Sequence, residues 1–259
     1  MIMAGLLKKV LFYLLLIVIW EVIFELGVEV FRFWKPYSFP SPLGVIKTLV
    51  GLVADNTLGI AVLASLRRIG IGYSVSLGIG ALIGIFIAKF RFIGDNLSSL
   101  ILGLQTLPSI CWLPFAILWY GLDESAIIFV IAIGSTFAFA ISIESGIRNV
   151  NPLYVNAARN MGASGLKIYW NVIIPAALPN IISGMKQGWS FAWRALMAGE
   201  MLTATVGLGQ VLMVGRDLAD ISQVMAVMMV IIILGLLVDR LIFGKIEESI
   251  RYRWGLSRV

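Results

Sequence analysis

The sequence predicts an all-α membrane protein with six transmembrane helices, and three observations support this fold class. Of the 259 residues, 60% are hydrophobic and only 13% are charged, whereas a soluble domain carries about 25% charged residues. Several apolar runs reach the ~20 residues that a helix needs to cross a bilayer. These runs lack the alternation of apolar and polar residues that the strands of a transmembrane β-barrel require.

The predicted spans are the apolar runs that are long enough to cross the bilayer. They cover residues 10–32, 66–88, 97–119, 125–147, 181–203 and 222–244. No separate soluble domain is expected, so the whole chain, 1–259, is predicted to form one transmembrane domain. A polar connection, 148–180, joins the fourth span to the fifth.

Lysines and arginines orient these spans, because positive residues are retained on the cytoplasmic side. With a cytoplasmic N-terminus, the inner segments hold Lys8, Lys9, Lys89, Arg91, Arg148, Arg159 and Lys167. Both termini are therefore predicted to be cytoplasmic, and this bias explains the net charge of +6 without a nucleic-acid partner. Glu21, Glu25 and Glu29 follow the first apolar run in place of a signal-peptide cleavage site, which predicts a retained first span.

The residue types argue against catalysis by this chain. It has one cysteine, Cys111, and no histidine, so neither a disulfide within the chain nor a Cys/His metal cluster is expected. The P-loop motif G-x-x-x-x-G-K-[ST] does not occur, so any ATP would be bound by another chain. We therefore expect a protein that is not an enzyme, with no catalytic residues, no metal site and no cofactor of its own.

Span two is predicted to be a packing helix. Small residues recur in it at every fourth position, and such a ridge lets another helix approach closely. The ridge consists of Gly72, Ser76, Gly80, Gly84 and Ala88. Arg67 and Arg68, at its outer end, are expected to extend their long side chains to the membrane interface.

Span three contains Pro108 and Pro114, and each can kink a helix by removing a backbone donor. The carbonyl groups freed by a kink need partners, so kinks tend to face protein or a water-filled cavity. One interpretation is a helix that lines a pathway or gates it, with Gln105 and Pro108 as the candidate residues. The other is a bent helix that only packs.

Span five contains an arginine far from both membrane interfaces. Arg194 lies thirteen residues into the span, about 20 Å along the helix, and an arginine at this depth usually marks a pathway or an ion pair. We predict that Arg194, Trp193 and Glu200 line a translocation pathway. Arg194 and Glu200 are about 240° apart around the helix, so they do not pair with each other. The alternative is a structural ion pair between Arg194 and Glu21 or Glu25.

The segment "VNAARNMGASGLKIYWNVIIPAALP" is polar although apolar spans precede and follow it. Asn151 can cap a helix over 152–161, which would end at Gly162. Ser164 can cap a second short helix, which Pro175 would stop. Two short helices joined at a glycine predict a compact protrusion on the cytoplasmic face of the membrane.

This segment also carries a family motif. Asn156, Ala157, Ala158, Gly162 and Pro175 keep the spacing of E-A-A-x-x-x-G-x(9)-I-x-L-P, with Asn156 in place of the acidic residue. That motif is the signature of permease subunits of binding-protein-dependent ABC importers, and the chain resembles this family. Further stretches are similar to the nitrate/taurine/sulfonate-type permeases; they are 39–49, 65–84, 107–121 and 206–212.

The resemblance implies a fold, partners and a site. It implies the type I ABC importer permease fold, in a bacterial or archaeal cell membrane. The implied partners are two cytoplasmic ABC ATPase subunits that bind ATP and Mg, a second permease subunit (expected to be another copy of this chain), an extracytoplasmic solute-binding protein and membrane lipid. The implied coupling helices would enter a groove on the ATPase through Asn156, Ala157, Ala158, Arg159, Gly162, Ala163 and Pro175.

The solute is less closely defined by the resemblance. Related permeases carry nitrate, bicarbonate, sulfonates, aromatic acids or vitamin precursors, and Arg194 favours an anion among these. The alternatives are import of a neutral or cationic vitamin precursor, or an ion-driven carrier or channel. Inverted repeats, which are typical of many carriers, are not evident in the sequence.

Overall fold

The computed structural model describes residues 2–35 and 37–253, and all regular elements in these ranges are helical. The chain forms two compact units. The first comprises the residues up to Ala64 together with Val206–Ile233, and the second comprises Ser65–Thr205 together with the chain from Leu234. The elements predicted to carry function all belong to the second unit.

The first unit is built from helices in two separate parts of the chain, the N-terminal part and Val206–Ile233. They are α1 (Ile2–Phe24), which continues into a π-helical segment (Glu25–Val30), α2 (Pro42–Ala54), the start of α3 (Thr57–Lys89), α10 (Leu208–Asp217) and most of α11 (Ile221–Val238). Pro42 occupies the first turn of α2, where its missing N–H is not needed, and the Ser41 hydroxyl caps that turn by accepting from the backbone N–H of Gly44.

The second unit contains the rest of α3 and most of the other helices. They are α4 (Arg91–Gln105), a 3₁₀ turn (Ser109–Trp112), α5 (Leu113–Tyr120), α6 (Glu124–Arg148), α7 (Pro152–Asn160), α8 (Leu166–Ile168), a π-helical segment (Tyr169–Ile173), α9 (Ile174–Thr203), the end of α11, a further π-helical segment (Asp239–Gly244) and α12 (Lys245–Arg253).

Five helical stretches are long and apolar enough to cross a membrane, which confirms the predicted fold class. They are Val10–Val30, Thr57–Lys89, Glu124–Arg148, Leu166–Thr203 and Ile221–Ile250. A sixth crossing is formed by two helices, Phe92–Gln105 and Ser109–Tyr120, if this bent pair counts as one span. The axes of the two helices differ by 97°.

The bend in the third predicted span is much larger than a proline kink in a continuous helix. The chain leaves helical geometry at Pro108, whose ψ of 136° is extended, because proline lacks a donor and disfavours helix in the residue before it. Pro114 is compatible with helix, since it lies in the first turn of α5. The expected single bent helix is therefore two helices with a break between Gln105 and Ser109.

The core of the second unit is the contact between α6 and α9, against which α3 also packs. Small residues allow the close approach: a Cβ atom added at Gly184 of α9 would overlap the Ser142 side chain of α6. On α3, a Cβ atom at Gly72 or Gly84 would come within 3 Å of α6 atoms. The small ridge of span two is therefore a packing surface, as the sequence predicted.

Candidate functional site

A cavity of about 430 Å³ lies beside the break between α4 and α5. Its lining residues are Gln105, Thr106, Leu107, Pro108, Ser109, Ile110, Trp112, Gly134, Phe137, Phe191, Arg194 and Ala198. Three residues predicted for a pathway, Gln105, Pro108 and Arg194, thus meet in one cavity. The side-chain oxygen of Gln105 is buried and has no hydrogen-bond partner among the described residues.

Arg194 is exposed on α9. Its Nε donates a hydrogen bond of 3.1 Å to the carbonyl of Ser190, and its guanidinium lies 4.8 Å from the centre of the Phe191 ring. In the described part of the second unit, no carboxylate lies within ion-pair distance of Arg194. The charge is thus oriented by its own helix and is not neutralised by a carboxylate in the part of its unit that the structure describes.

A second cavity, of about 480 Å³, also contains Arg194. Its lining residues are Lys186, Gln187, Trp189, Ser190, Trp193, Arg194, Gly235 and Asp239. Trp193, the fourth predicted pathway residue, stacks on Trp189 with 5.9 Å between ring centres. Arg194 therefore borders two cavities.

Lys186 and Asp239 are functional candidates that the sequence analysis missed. The Lys186 Nζ lies 3.1 Å from a carboxylate oxygen of Asp239 and 3.7 Å from one of Glu247. The signal was available, because both Lys186 and Asp239 fall inside predicted spans, and a charged residue within a span is a candidate by the same rule that selected Arg194.

Glu200 does not line either cavity, in contrast to its predicted place in the pathway. Its side chain has no exposed surface. The Ser65 hydroxyl donates to Glu200 at 2.8 Å, and Arg68 donates to it at 2.8 Å. A buried carboxylate requires such partners because its desolvation is costly.

Arg68 also differs from its prediction, since it does not extend to the membrane interface. It is buried, and its second terminal nitrogen lies 3.0 Å from Glu124 at the start of α6. Arg68 thereby links α3 to both α6 and α9. This contact is not evident from the sequence, because Arg68 and Glu200 are 132 positions apart.

The polar segment after α6 begins as predicted. The Asn151 side chain caps α7 by accepting from the backbone N–H of Leu153 at 2.9 Å. Gly162 follows with φ of +85°, a left-handed conformation that only glycine adopts without steric cost. Asn156, Ala157, Arg159 and Gly162 are exposed, whereas Ala158, Ala163 and Pro175 are half-buried.

The second half of this segment is not a separate short helix. Gly165, rather than Ser164, occupies the N-cap position of α8, and the helix runs on without interruption from Leu166 to Thr203. Pro175 does not stop it. A π-helical turn, Tyr169–Ile173, directly precedes α9, and its extra residue changes the register of the carbonyls that the Pro175 ring would otherwise meet.

Large apolar side chains make the exposed surface of this segment unusual. Leu153, Met161, Leu166 and Trp170 are each at least 67% exposed. Arg159 and Asn156 are exposed as well, so the segment presents both apolar and polar side chains to its surroundings. Such a surface is typical of a site where another protein docks.

Comparison with known proteins identifies related sequences and folds. The family described as "Binding-protein-dependent transport system inner membrane component" matches residues 80–250. A putative ABC transporter permease of Methanocaldococcus jannaschii is 31% identical over 231 residues, covering 87% of this chain and 84% of the relative. The nitrate import permease of Synechocystis is 32% identical, covering 79% of this chain and 78% of that protein.

A putative aliphatic sulfonates transport permease of Bacillus subtilis is 29% identical over 96% of this chain and 88% of its own length. Among solved structures, the inward-facing methionine ABC transporter MetNI is similar with a TM-score of 0.64 and 20% identity, over 75% of this chain and 96% of that one. An amino acid ABC transporter matches with a TM-score of 0.61 and 19% identity, over 78% and 97%. These structures show the same fold.

Proposed function

This chain belongs to the family of inner membrane components of binding-protein-dependent transport systems, and we propose that it conducts a small anionic solute and couples its passage to ATP hydrolysis by a separate ATPase. It is an ABC importer permease of the nitrate/taurine/sulfonate type, located in the inner membrane with several spans. The solute class and the coupling are the proposed part.

The observation that carries the anion proposal is the setting of Arg194. A permanent positive charge within a membrane span needs a counter-charge or water. Arg194 is exposed, has no carboxylate at ion-pair distance in the described part of its unit, and lines two cavities. A guanidinium also offers a planar set of donors that matches carboxylate, sulfonate or nitrate oxygens.

The relatives support the same solute class. Those named above as permeases for nitrate and for aliphatic sulfonates, together with a taurine permease of Escherichia coli that is 29% identical over 79% of this chain, carry solutes with a delocalised anionic group. Gln105 can contribute as well, since a side-chain amide both donates and accepts, and its oxygen has no partner among the described residues.

We assign coupling to the exposed segment from α7 to the start of α9. Asn156, Ala157, Arg159 and Gly162 would contact an ATPase that binds ATP and Mg, with Ala158, Ala163 and Pro175 supporting them from half-buried positions. Asn156 would form a neutral hydrogen bond where the family motif places an acidic residue. In the complete importer, this chain would pair with a second copy, bind two ATPase subunits and receive solute from an extracytoplasmic binding protein.

The solute class can be tested on the extracytoplasmic solute-binding protein that the proposal requires as a partner of this permease. Its thermal unfolding would be measured with nitrate, bicarbonate, taurine, aliphatic sulfonates, aromatic carboxylates and vitamin precursors. Stabilisation by an anion, followed by ATP-dependent uptake of that anion in proteoliposomes that also contain the partner ATPase, is the expected result. Stabilisation only by a neutral or cationic compound would contradict the anion proposal, and uptake that needs no ATPase would support a carrier or channel.

A further inference from the structure

One face of α9 carries a row of exposed polar side chains inside an apolar span. We call this row the polar stripe; its members are Asn180, Ser183, Gln187, Ser190 and Arg194, all of which are exposed. At 100° per residue these positions fall within about 80° of the helix circumference. The stripe extends about 21 Å along the axis, from the coupling end of α9 to Arg194.

The opposite side of α9 is the packed side. Gly184, Gly188, Ala192, Ala195 and Gly199 are buried there, and Gly184 and Gly199 approach α6 closely. A serine in lipid can satisfy its hydroxyl on the carbonyl four residues back, as Ser183 does with Pro179 at 3.1 Å. Gln187 and Arg194 have larger polar groups that lipid would leave unsatisfied. The stripe therefore requires water or a polar surface.

The two cavities lie at the Arg194 end of the stripe. Arg194 lines both cavities, and Gln187 and Ser190 line the one that also contains Lys186 and Asp239. Lys186 precedes Arg194 by eight residues, or about 12 Å along the axis, on the side of the coupling segment. Two positive groups thus follow one another along the helix, in the direction that leads to the predicted cytoplasmic face.

The surroundings of the two positive groups differ. Arg194 has only neutral contacts in the described part of its unit, a backbone carbonyl and an aromatic ring. Lys186 is in contact with two carboxylates, those of Asp239 and Glu247. An anion is therefore attracted beside Arg194, whereas beside Lys186 it must compete with carboxylates already in place.

We propose that the polar stripe is a water-filled wall of the solute path, along which attraction for anions is strong beside Arg194 and is weakened beside Lys186 by Asp239. This inference rests on the proposed function and deepens it, because it assigns Asp239 as a residue that sets anion selectivity and release. Conduction needs a site that attracts a solute and also a site that lets it leave. Arg194 provides the first, and the carboxylates around Lys186 provide the second.

The test uses charged thiol reagents as solute substitutes. In a Cys111→Ser background, which removes the one native cysteine, the reporter variants are Ser190→Cys and Gln187→Cys. Each is treated with the anionic sulfonatoethyl and the cationic trimethylammonioethyl methanethiosulfonate, in membrane fragments from cells that express the full chain. The ratio of the anionic to the cationic reaction rate, normalised to that of a small free thiol, reports the local potential.

We expect both reporters to react, with a normalised ratio of about ten at Ser190→Cys and a lower ratio at Gln187→Cys. Arg194→Met should bring the Ser190→Cys ratio to within about twofold of the free thiol, whereas Arg194→Lys, which keeps the charge, should preserve it. Asp239→Asn should raise the Gln187→Cys ratio severalfold. As a control, Leu82→Cys on α3, at an apolar position that is 73% exposed, should react with neither reagent.

Three results would overturn the inference. Unreactive reporters would mean that lipid or a second copy of the chain covers the stripe. If Arg194→Met leaves the Ser190→Cys ratio unchanged, Arg194 does not attract anions to the stripe. If Asp239→Asn leaves the Gln187→Cys ratio unchanged, Asp239 does not weaken that attraction. Because the measurement needs no solute, ATPase or binding protein, its failure is separate from that of the proposed function: anion uptake by a chain with an unreactive stripe overturns only the stripe.

Discussion

Two arginines in apolar helices of the second unit, Arg68 and Arg194, have opposite surroundings. Arg68 is buried and contacts the carboxylates of Glu200 at 2.8 Å and Glu124 at 3.0 Å. Arg194 is exposed to two cavities and has no carboxylate at ion-pair distance in the described part of that unit. Both positions are costly for a charge.

The difference separates two reasons for keeping a charge within a span. A buried arginine with carboxylate partners holds helices together, since loss of either partner leaves an uncompensated charge. An exposed arginine whose nearest groups are neutral leaves its charge available to a solute. The depth of an arginine in a helix, which is all that a sequence gives, does not distinguish these cases, whereas the nearest carboxylate does.

The largest expected effect is the loss of Arg68. The Arg68→Met substitution removes the guanidinium that binds the fully buried Glu200, and breaking a buried ion pair costs about 3–5 kcal/mol. We expect little monodisperse protein in detergent and a strongly lowered unfolding temperature by fluorescence-detected size exclusion.

The matched control for Arg68→Met is the double variant Arg68→Met with Glu200→Leu. Replacing both partners with apolar residues leaves no unpaired charge, so this variant should recover part of the lost stability. An Arg68→Met variant as stable as the wild type would show that the pair is dispensable, and the contrast with Arg194 would lose its basis.

The second prediction concerns transport rather than stability. Arg194→Met should assemble like the wild type but lower solute uptake at least about tenfold, because the anion loses its charged partner. Arg194→Lys should retain partial uptake, since it keeps the charge and loses the planar fork of donors. Uptake would be measured in proteoliposomes beside a size-exclusion profile of the complex.

The size-exclusion profile and the uptake together distinguish the interpretations of Arg194. Normal assembly with lost uptake supports a pathway residue. Lost assembly points to a structural ion pair, as considered for Glu21 or Glu25, and undiminished uptake by the Met variant contradicts both interpretations.

The third prediction tests the proposed coupling segment, which is exposed like Arg194 but is proposed to contact a protein partner instead of a solute. Leucine at position 162 would need the left-handed backbone at φ of +85°, which costs a residue with a side chain about 1–2 kcal/mol. We expect Gly162→Leu to lower both co-purification of the ATPase and solute-stimulated ATP hydrolysis. The control is Gly51→Leu, where the same side chain enters open space on helix α2. Equal ATPase activity in both variants would contradict the assigned coupling role.

Local features of the fold could be predicted from sequence. The apolar runs gave the helical class, and the Asn151 cap and the turn at Gly162 follow from the properties of single residues. The prediction that Pro175 ends a helix was wrong, because a π-helical turn directly before α9 lets the helix continue through this proline. No residue pattern in the sequence indicates that turn. The 97° break in span three exceeded the expected bend for a related reason, since one proline fixes where a helix is disturbed but not how far the chain turns.

The candidate site was predictable only where single residues defined it. Arg194, Gln105 and Pro108 stood out within apolar spans and meet in one cavity. Glu200 stood out equally but is buried. Its role as a structural partner could not be predicted, because Ser65 and Arg68, which bind it, are more than 130 positions away in sequence. Lys186 and Asp239 could also have been selected as charged residues within predicted spans, but the contact between them, which joins α9 to the segment after α11, is not evident from the sequence.

The smallest expected effect comes from Arg67, the neighbour of Arg68 in sequence. Both arginines contact Glu124, but the Arg67 contact is longer, at 3.4 Å, and the Arg67 side chain is 67% exposed. An exposed ion pair contributes about 0–1 kcal/mol, since water screens it and both side chains lose freedom. Arg67→Met should therefore shift the unfolding temperature by no more than about 2 °C, in the assay used for Arg68→Met. If the two substitutions destabilise the protein equally, burial does not determine how much an arginine contributes to stability. Contact with a carboxylate would then be sufficient for a stabilising role.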